Sequence, residues 1–266
     1  MTQQVHRGTA LVTGASSGIG AVYAAQLARR GYDLVLVARN RERLATLAAS
    51  LTNETRQDVE VLAADLNNRE DLAAIEARLR DDASLTLLVN NAGIGTHTPL
   101  VESDVDHMTR MIELNVTALT RLTYAAVPGF VARGQGAIIN IASIVSIAPE
   151  ILNGVYGGTK AFVLAFTHSL DHELAAKGIR VQAVLPGATA TEFWEVGGLP
   201  LEHLDKAIVM SAEDLVSAAI TGFERGETVT IPSLHDVEQW NAFENARRAM
   251  SPHLSTSKPA PRYRAA

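Results

Sequence analysis

The chain has 266 residues, 47% hydrophobic and 20% charged, with a formal net charge of -6. That length suits one large α/β domain with a sizeable core, and an acidic balance without a long basic run argues against a nucleic-acid partner. There is no cysteine, which excludes disulfides, thiol nucleophiles and cysteine-bound metals and fits a reducing, cytoplasmic setting. No stretch reaches the length of apolar sequence that a membrane span needs, and no signal peptide is expected ahead of the first apolar run.

Residues 9–13 are a short apolar run that stops at Gly14 and reads as a buried strand. Residues 15–20 form a small-residue turn, and helical periodicity over 21–30 ends at Gly31, a suitable C-terminal cap. A second strand follows at 34–38, a helix at 41–51, and a third strand at 59–64 closed by Asp65. Next come a helix at 69–80 and a fourth strand at 85–89, which runs into Asn90-Asn91-Ala92-Gly93. Ser103 or Asp104 can cap a long helix to about Val127. The fifth strand is expected at 136–142, a helix at 155–177 stopped by Gly178, and a sixth strand at 179–185 stopped by Pro186-Gly187. An irregular insertion at 187–210 is rich in large apolar residues; a helix at 212–225, a strand at 228–231 and a helix at 234–250 complete the pattern.

Most strands are continuous apolar runs, as expected of a sheet covered on both faces. The economical architecture is α/β, a doubly wound parallel sheet of about seven strands with helices on both faces. Residues 1–250 are expected to form a single domain. Residues 251–266 hold three prolines and little to bury, and are expected to be a flexible tail.

In such a sheet ligands sit at the carboxyl ends of the strands. Gly14, Gly18 and Gly20 lie there and open the first helix, whose N-terminus suits a pyrophosphate. Gly14 permits the turn, Gly18 leaves room for phosphates, and Gly20 lets helix and strand pack closely. At the end of the second strand Ala38 stands where an acid would bond the 2′-hydroxyl of NAD, and Arg39 follows. A guanidinium there pairs with a 2′-phosphate, with Ser16 as an added hydroxyl donor, so NADP(H) is the expected cofactor.

Tyr156 and Lys160 are one helical turn apart, and the preceding loop can fold the Ser143 hydroxyl toward both. A phenol, an ammonium and a hydroxyl together suit moving a proton at a carbonyl or alcohol. The segment 13–20 (Thr-Gly-Ala-Ser-Ser-Gly-Ile-Gly), Asn90-Asn-Ala-Gly93, Asn115, Ser143, Tyr156-x-x-x-Lys160 and Pro186-Gly187 occur together and in order. The chain resembles a short-chain dehydrogenase/reductase of the single-domain branch. The likeness is close over about 8–191, and the Ala-Arg end of the second strand is similar to NADP(H)-preferring members.

The resemblance implies a Rossmann-type fold and reversible hydride transfer between a nicotinamide and a carbonyl or secondary alcohol. It implies Asn115, Ser143, Tyr156 and Lys160 as the catalytic group. Tyr156 moves the proton, with its pKa lowered by Lys160 and the oxidised nicotinamide; Ser143 orients the substrate oxygen; Asn115 positions a water linked to Lys160. Along the cofactor it implies Ser17 and Ile19 in the glycine turn, Asp65 on the adenine and Leu66 through its backbone. It places Asn90, Ala92 and Gly93 beside the adenine ribose, Lys160 on the nicotinamide ribose, and Pro186, Gly187, Thr189 and Thr191 around the carboxamide. Asn91 would brace the sheet.

Family members fold the 187–210 region over the substrate. An apolar lid carrying Phe193 and Trp194 favours a lipophilic ketone, aldehyde or alcohol, although the same residues also suit packing of the lid on its own domain. Ile147, Ile151 and Leu152 can extend that wall. His97 either borders substrate or is a solvated loop residue. His168 and His172 point away from the Tyr156 face, so no metal site is expected. The two long helices are apolar on more than one face, and the resemblance implies a homodimer or homotetramer. Two other functions share parts of the pattern: a non-catalytic NADP(H)-binding regulator, and epimerase or dehydratase chemistry on nucleotide sugars, whose larger C-terminal domain this chain has too few residues to build. Gly157-Gly158 after the tyrosine departs from the family pattern and is read as room for something packed closely.

Overall fold

A computed structural model describes residues 6–263. They fall into two compact units, one ending at Pro232 and one beginning at Ser233. The second unit holds the last helix together with the residues that follow it. Residues 1–5 of the expected domain and 264–266 of the expected tail lie outside the described residues.

The first unit is one parallel seven-stranded sheet in the order β3-β2-β1-β4-β5-β6-β7. The strands are β1 (Thr9–Thr13), β2 (Asp33–Ala38), β3 (Val59–Ala63), β4 (Leu85–Asn90), β5 (Gly136–Ile141), β6 (Ile179–Val184) and β7 (Val229–Thr230). Helices α1 (Gly18–Arg29), α2 (Arg41–Thr55) and α3 (Arg69–Asp81) link the first four strands; α4 (Val105–Ile112) and α5 (Leu119–Arg133) precede β5, and α6 (Gly154–Leu174) precedes β6. After β6 come α7 (Phe193–Val196) and α8 (Ala212–Glu224). In the second unit, α9 (Val237–Met250) stacks Trp240 on Phe243 and pairs Glu244 with Arg247.

Neighbouring residues of a strand enter opposite layers, which is why buried strands read as unbroken apolar runs. Ala10 and Val12 pack with Tyr23, Leu27, Leu44, Leu51 and Val216 of α1, α2 and α8. Leu11 packs with Ile75, Leu79, Leu122, Phe130 and Leu174 of α3, α5 and α6. The strand order reverses between β1 and β4, whose Leu11 and Leu88 are register partners, so the carboxyl ends of these two strands flank the crevice where a doubly wound sheet takes its ligand.

The long helix after β4 departs from expectation in two ways. A π-helical segment, Glu113–Ala118, interrupts it and carries Asn115. It also runs past Val127, through Pro128, to Arg133. The buried side chains Leu122, Ala125, Ala126 and Phe130 hold both sides of the proline against the sheet, and Gly134 ends the helix at φ 63°. Helix α2 likewise runs one turn beyond Leu51, closed by Arg56 at φ 66°.

Candidate active site

The glycine turn follows β1. Gly14 has φ 65° and Gly18 φ 54°, backbone that side chains rarely adopt. A Cβ on Gly20 would stand 2.3 Å from the Gly14 carbonyl, so the helix can approach the strand only because Gly20 has none. Asn91 fixes the other side, donating from Nδ2 to the carbonyls of Thr13 at 2.9 Å and Gly14 at 3.2 Å. Ser17 precedes α1 without capping it by its side chain, which leaves the helix N-terminal N–H groups facing the crevice. A Cβ on Gly18 would come 3.1 Å from the methyl of Thr191, so Thr191 stands over this turn. Ser16 and Ile19 are half-buried in the same turn. Arg39 is exposed and has no side-chain partner among the described residues.

Beyond β3, Asp65 Oδ1 accepts from the Asn67 N–H at 3.0 Å, while the Leu66 side chain is buried. Asn90 ends β4 beside the crevice. Its side chain turns into the interior, where Nδ2 donates to Asn140 Oδ1 at 3.0 Å and Thr123 Oγ1 at 3.2 Å. Buried amides need partners, and those partners lie behind the strand rather than along the groove. Any contact from Asn90 to a nucleotide is left to its main chain. Ala92 and Gly93 remain partly open beside it.

The second half of the site hangs on α6. Asn153 caps this helix, its Oδ1 accepting from the Val155 N–H at 2.8 Å, and its Nδ2 donates to the Thr98 carbonyl at 2.7 Å. The cap therefore ties the start of α6 to the loop after β4. Tyr156 and Lys160 lie one turn apart, both buried, with Lys160 Nζ 5.9 Å from the centre of the phenol ring. Lys160 Nζ donates to the Ile141 carbonyl at 2.8 Å. Two residues on, Ser143 hydrogen-bonds the Tyr156 phenol, and its Oγ is also 3.4 Å from the Pro186 carbonyl. The single hydroxyl proton can serve only one of these at a time.

Burial sets the titration of both groups. It pushes Tyr156 up to about 12, against the pull of the Ser143 hydrogen bond. It holds Lys160 down at about 8. Desolvation therefore dominates the phenol, and the Ser143 hydrogen bond is what opposes it.

Asn115 is buried and its side chain is fully engaged. Oδ1 accepts from the Ile94 N–H at 2.9 Å; Nδ2 donates to the Ile94 carbonyl at 2.8 Å and to Thr159 Oγ1 at 3.1 Å. The amide therefore holds the loop after β4 against α6, and a hydrated link to Lys160 would have to use the main chain of the π segment.

The lid begins after Gly187. Thr189 is buried, donates to the Gly187 carbonyl at 3.1 Å and accepts from Trp194 Nε1 at 2.9 Å through its own carbonyl. Phe193 packs on Tyr156 with ring centroids 5.8 Å apart. His97, which stood between two readings, joins the lid: Nδ1 is 2.9 Å from the Gly197 carbonyl. Thr96, His97, Leu152, Phe193, Trp194 and Gly197 enclose a cavity of only about 10 Å³. Ile147 and Ile151 are exposed and do not line it. Sequence reasoning missed Gly95, where a Cβ would stand 2.4 Å from the Phe193 ring and 3.0 Å from that of Tyr156. Gly157 makes room for Pro149, 3.1 Å from a Cβ placed there, whereas nothing lies within 4 Å of one on Gly158. Among the described residues, no three His, Asp or Glu side chains gather as a metal site, and no helix is long and apolar enough to cross a membrane.

Comparison with known proteins places the fold in a family. The family model for short chain dehydrogenases matches residues 8–197. A very-long-chain 3-oxoacyl-CoA reductase of Anas platyrhynchos is 36% identical over 192 residues, covering 70% of this chain and 61% of that protein. This chain therefore spans about three fifths of the length of that relative. A solved short-chain dehydrogenase from Sphingobium yanoikuyae in complex with NADPH is 50% identical, with TM-score 0.94, covering 97% of this chain and 100% of the other. A bulky-bulky ketone specific alcohol dehydrogenase from Comamonas testosteroni is 45% identical, with TM-score 0.89, covering 97% and 99%. The sheet order, the glycine turn and the buried Tyr156–Lys160 pair thus coincide with a direct match over most of the first unit: the chain belongs to the short-chain dehydrogenase family.

Proposed function

We propose that this chain is an NADP(H)-dependent oxidoreductase acting between a carbonyl and a secondary alcohol, on a lipophilic and bulky substrate. The observation that carries the reading is Tyr156, buried beside Lys160 and hydrogen-bonded to Ser143, across the sheet's reversal point from a glycine turn shaped for a pyrophosphate. The NADPH complex of the Sphingobium relative and the bulky-ketone specificity named for the Comamonas enzyme support cofactor and substrate class.

The residues present fit the cofactor. The closely packed Gly20, the uncapped N-terminus of α1 and the exposed Arg39 supply room, N–H donors and a cation. Gly14, Ser16, Ser17, Gly18, Ile19 and Gly20 would hold the pyrophosphate, and Arg39 the 2′-phosphate. Asp65 and the Leu66 main chain would take the adenine, with Asn90, Ala92 and Gly93 along its ribose. Lys160 would hold the second ribose, and Pro186, Gly187, Thr189 and Thr191 the carboxamide. When bound, the nicotinamide supplies or accepts hydride at the carbonyl carbon.

This chain's own groups then manage the oxygen. Ser143 donates to the substrate oxygen and fixes it beside the phenol. In reduction Tyr156 gives its proton to that oxygen, and the high phenol pKa keeps it protonated at neutral pH. In oxidation Tyr156 must accept the proton. The phenolate then needs positive charge close by, which Lys160 supplies while protonated. The main chain around Asn115 would relay protons to Lys160. Phe193 and Trp194 cover the reacting groups and exclude water.

The exposed aromatic rings Tyr124 on α5 and Phe162 on α6 support assembly as a homodimer or homotetramer, and the absence of cysteine fits a cytoplasmic setting. Following NADPH absorbance against a panel of bulky ketones tests the function: consumption with at least one is expected, and tight NADPH binding without consumption on any would leave a non-catalytic binder.

A further inference from the structure

The first turn of α2 reaches across to the lid. Arg43 Nη1 donates to Glu192 Oε2 at 2.7 Å, between residues 149 apart in sequence. Asn40 Oδ1 accepts from the Arg43 N–H at 3.0 Å, which fixes this turn directly behind Arg39. Glu192 lies between Thr191, which covers Gly18, and Phe193, which covers Tyr156. One ion pair therefore joins the cofactor's expected adenine end to the segment that covers the reacting groups.

The pair is half exposed, with side chains 51% and 55% accessible. Exposed pairs of this kind are weakly held and readily exchanged. A phosphate dianion offers a guanidinium two parallel hydrogen bonds and more charge than a carboxylate. Glu192 thus presents an anion to the arginine next to Arg39, in competition with any phosphate that Arg39 recruits.

We infer that Arg43 exchanges partners, leaving Glu192 for the 2′-phosphate of the cofactor and so unlatching the lid from α2. The inference rests on the cofactor reading above. It makes Arg43 a second cofactor-specificity residue and Glu192 its internal competitor. A nucleotide without the 2′-phosphate leaves the latch closed, so the lid distinguishes the two cofactors before any substrate arrives.

The lid carries its own reporter. The chain has two tryptophans, Trp194 in α7 and Trp240 in α9, so the Trp240→Phe protein reports on Trp194 alone. Titration with adenosine 2′-monophosphate is expected to shift Trp194 emission, while 5′-monophosphate leaves it unchanged. Arg43→Gln should abolish the shift and weaken NADPH binding by about tenfold, with NADH altered less than about twofold. Glu192→Gln should tighten NADPH severalfold and show the shifted emission without nucleotide. Equal emission responses to the two monophosphates, or Arg43→Gln binding both dinucleotides as the wild type does, overturns the exchange. Arg39→Ala separates the two levels. If it loses NADPH selectivity and Arg43→Gln does not, the exchange fails and the cofactor reading stands; if neither alters selectivity, both fail.

Discussion

Phe193 rests on Tyr156, ring centroids 5.8 Å apart and planes at 44°, and it can do so only because residue 95 is glycine. The cavity on the other side of the Phe193 ring, about 10 Å³, holds roughly one water molecule. Gly95→Ala would put a methyl group 2.4 Å from Phe193 and force it from its seat. We expect kcat/KM for bulky ketones to fall about tenfold or more, from misplacement of groups around the reaction, with NADPH affinity little changed. Phe193→Ala in the same chain should recover part of the loss. Steady-state kinetics on the two variants checks this; no recovery would mean that the methyl acts on Tyr156 rather than through the lid.

Arg39 has no side-chain partner among the described residues, so replacing it breaks no contact among them. Arg39→Ala should raise the dissociation constant for NADPH by about tenfold or more and leave NADH nearly unaffected, through loss of a charge-assisted phosphate contact. Calorimetric titration of both cofactors measures the ratio. Equal losses would place the 2′-phosphate elsewhere.

Lys160 makes stability depend on pH. Burial holds it at about 8, against an ordinary lysine near 10.4. Between these values the unfolded chain binds more protons than the folded one, so stability rises with pH. Below about 8 lysine is protonated in both states and contributes no slope. Tyr156 opposes this only above about 10, its ordinary pKa, because burial raises it in the folded chain. Urea unfolding at pH 7.5 and 9.5 should show wild type gaining about 2 kcal/mol relative to Lys160→Met. Parallel profiles for the two proteins would show that the ammonium pays no such penalty for burial.

The two glycines after Tyr156 differ. Gly158 has open space at its Cβ position, so Gly158→Ala should stabilise the monomer by about 1 kcal/mol from helix propensity. Gly157→Ala must push Pro149 from 3.1 Å and should lose that gain or reverse it. Urea midpoints of the two variants decide. A stabilised Gly157→Ala would show that the Pro149 loop yields freely.

Much of this was legible because each signal is local. β1, β2, β4, β5 and β6 are mostly buried and so mostly apolar, while the edge strand β3 is half-exposed and carries Glu60; Gly14, Gly18 and Gly20 announce a turn that only glycine can make. Tyr156, Lys160 and Ser143 come together through one helical turn and one short loop. What stayed hidden depends on distant partners. The inward turn of Asn90 is set by Thr123 and Asn140, which no local pattern around residue 90 reveals. The π segment at Asn115 and the passage of α5 through Pro128 are tolerated by packing on the sheet, against what propensity alone indicates. Gly95 gains its meaning only when the lid brings Phe193 to it.

Proton transfer by the Tyr156 phenol is the central claim. Tyr156→Phe removes one hydroxyl and keeps the ring that packs on Phe193. Measured with NADPH and an accepted ketone, kcat should fall by about 10²–10⁴-fold, the usual share of a positioned proton donor, while the dissociation constant for NADPH stays within about twofold. A phenylalanine variant that retains near wild-type kcat would contradict the account.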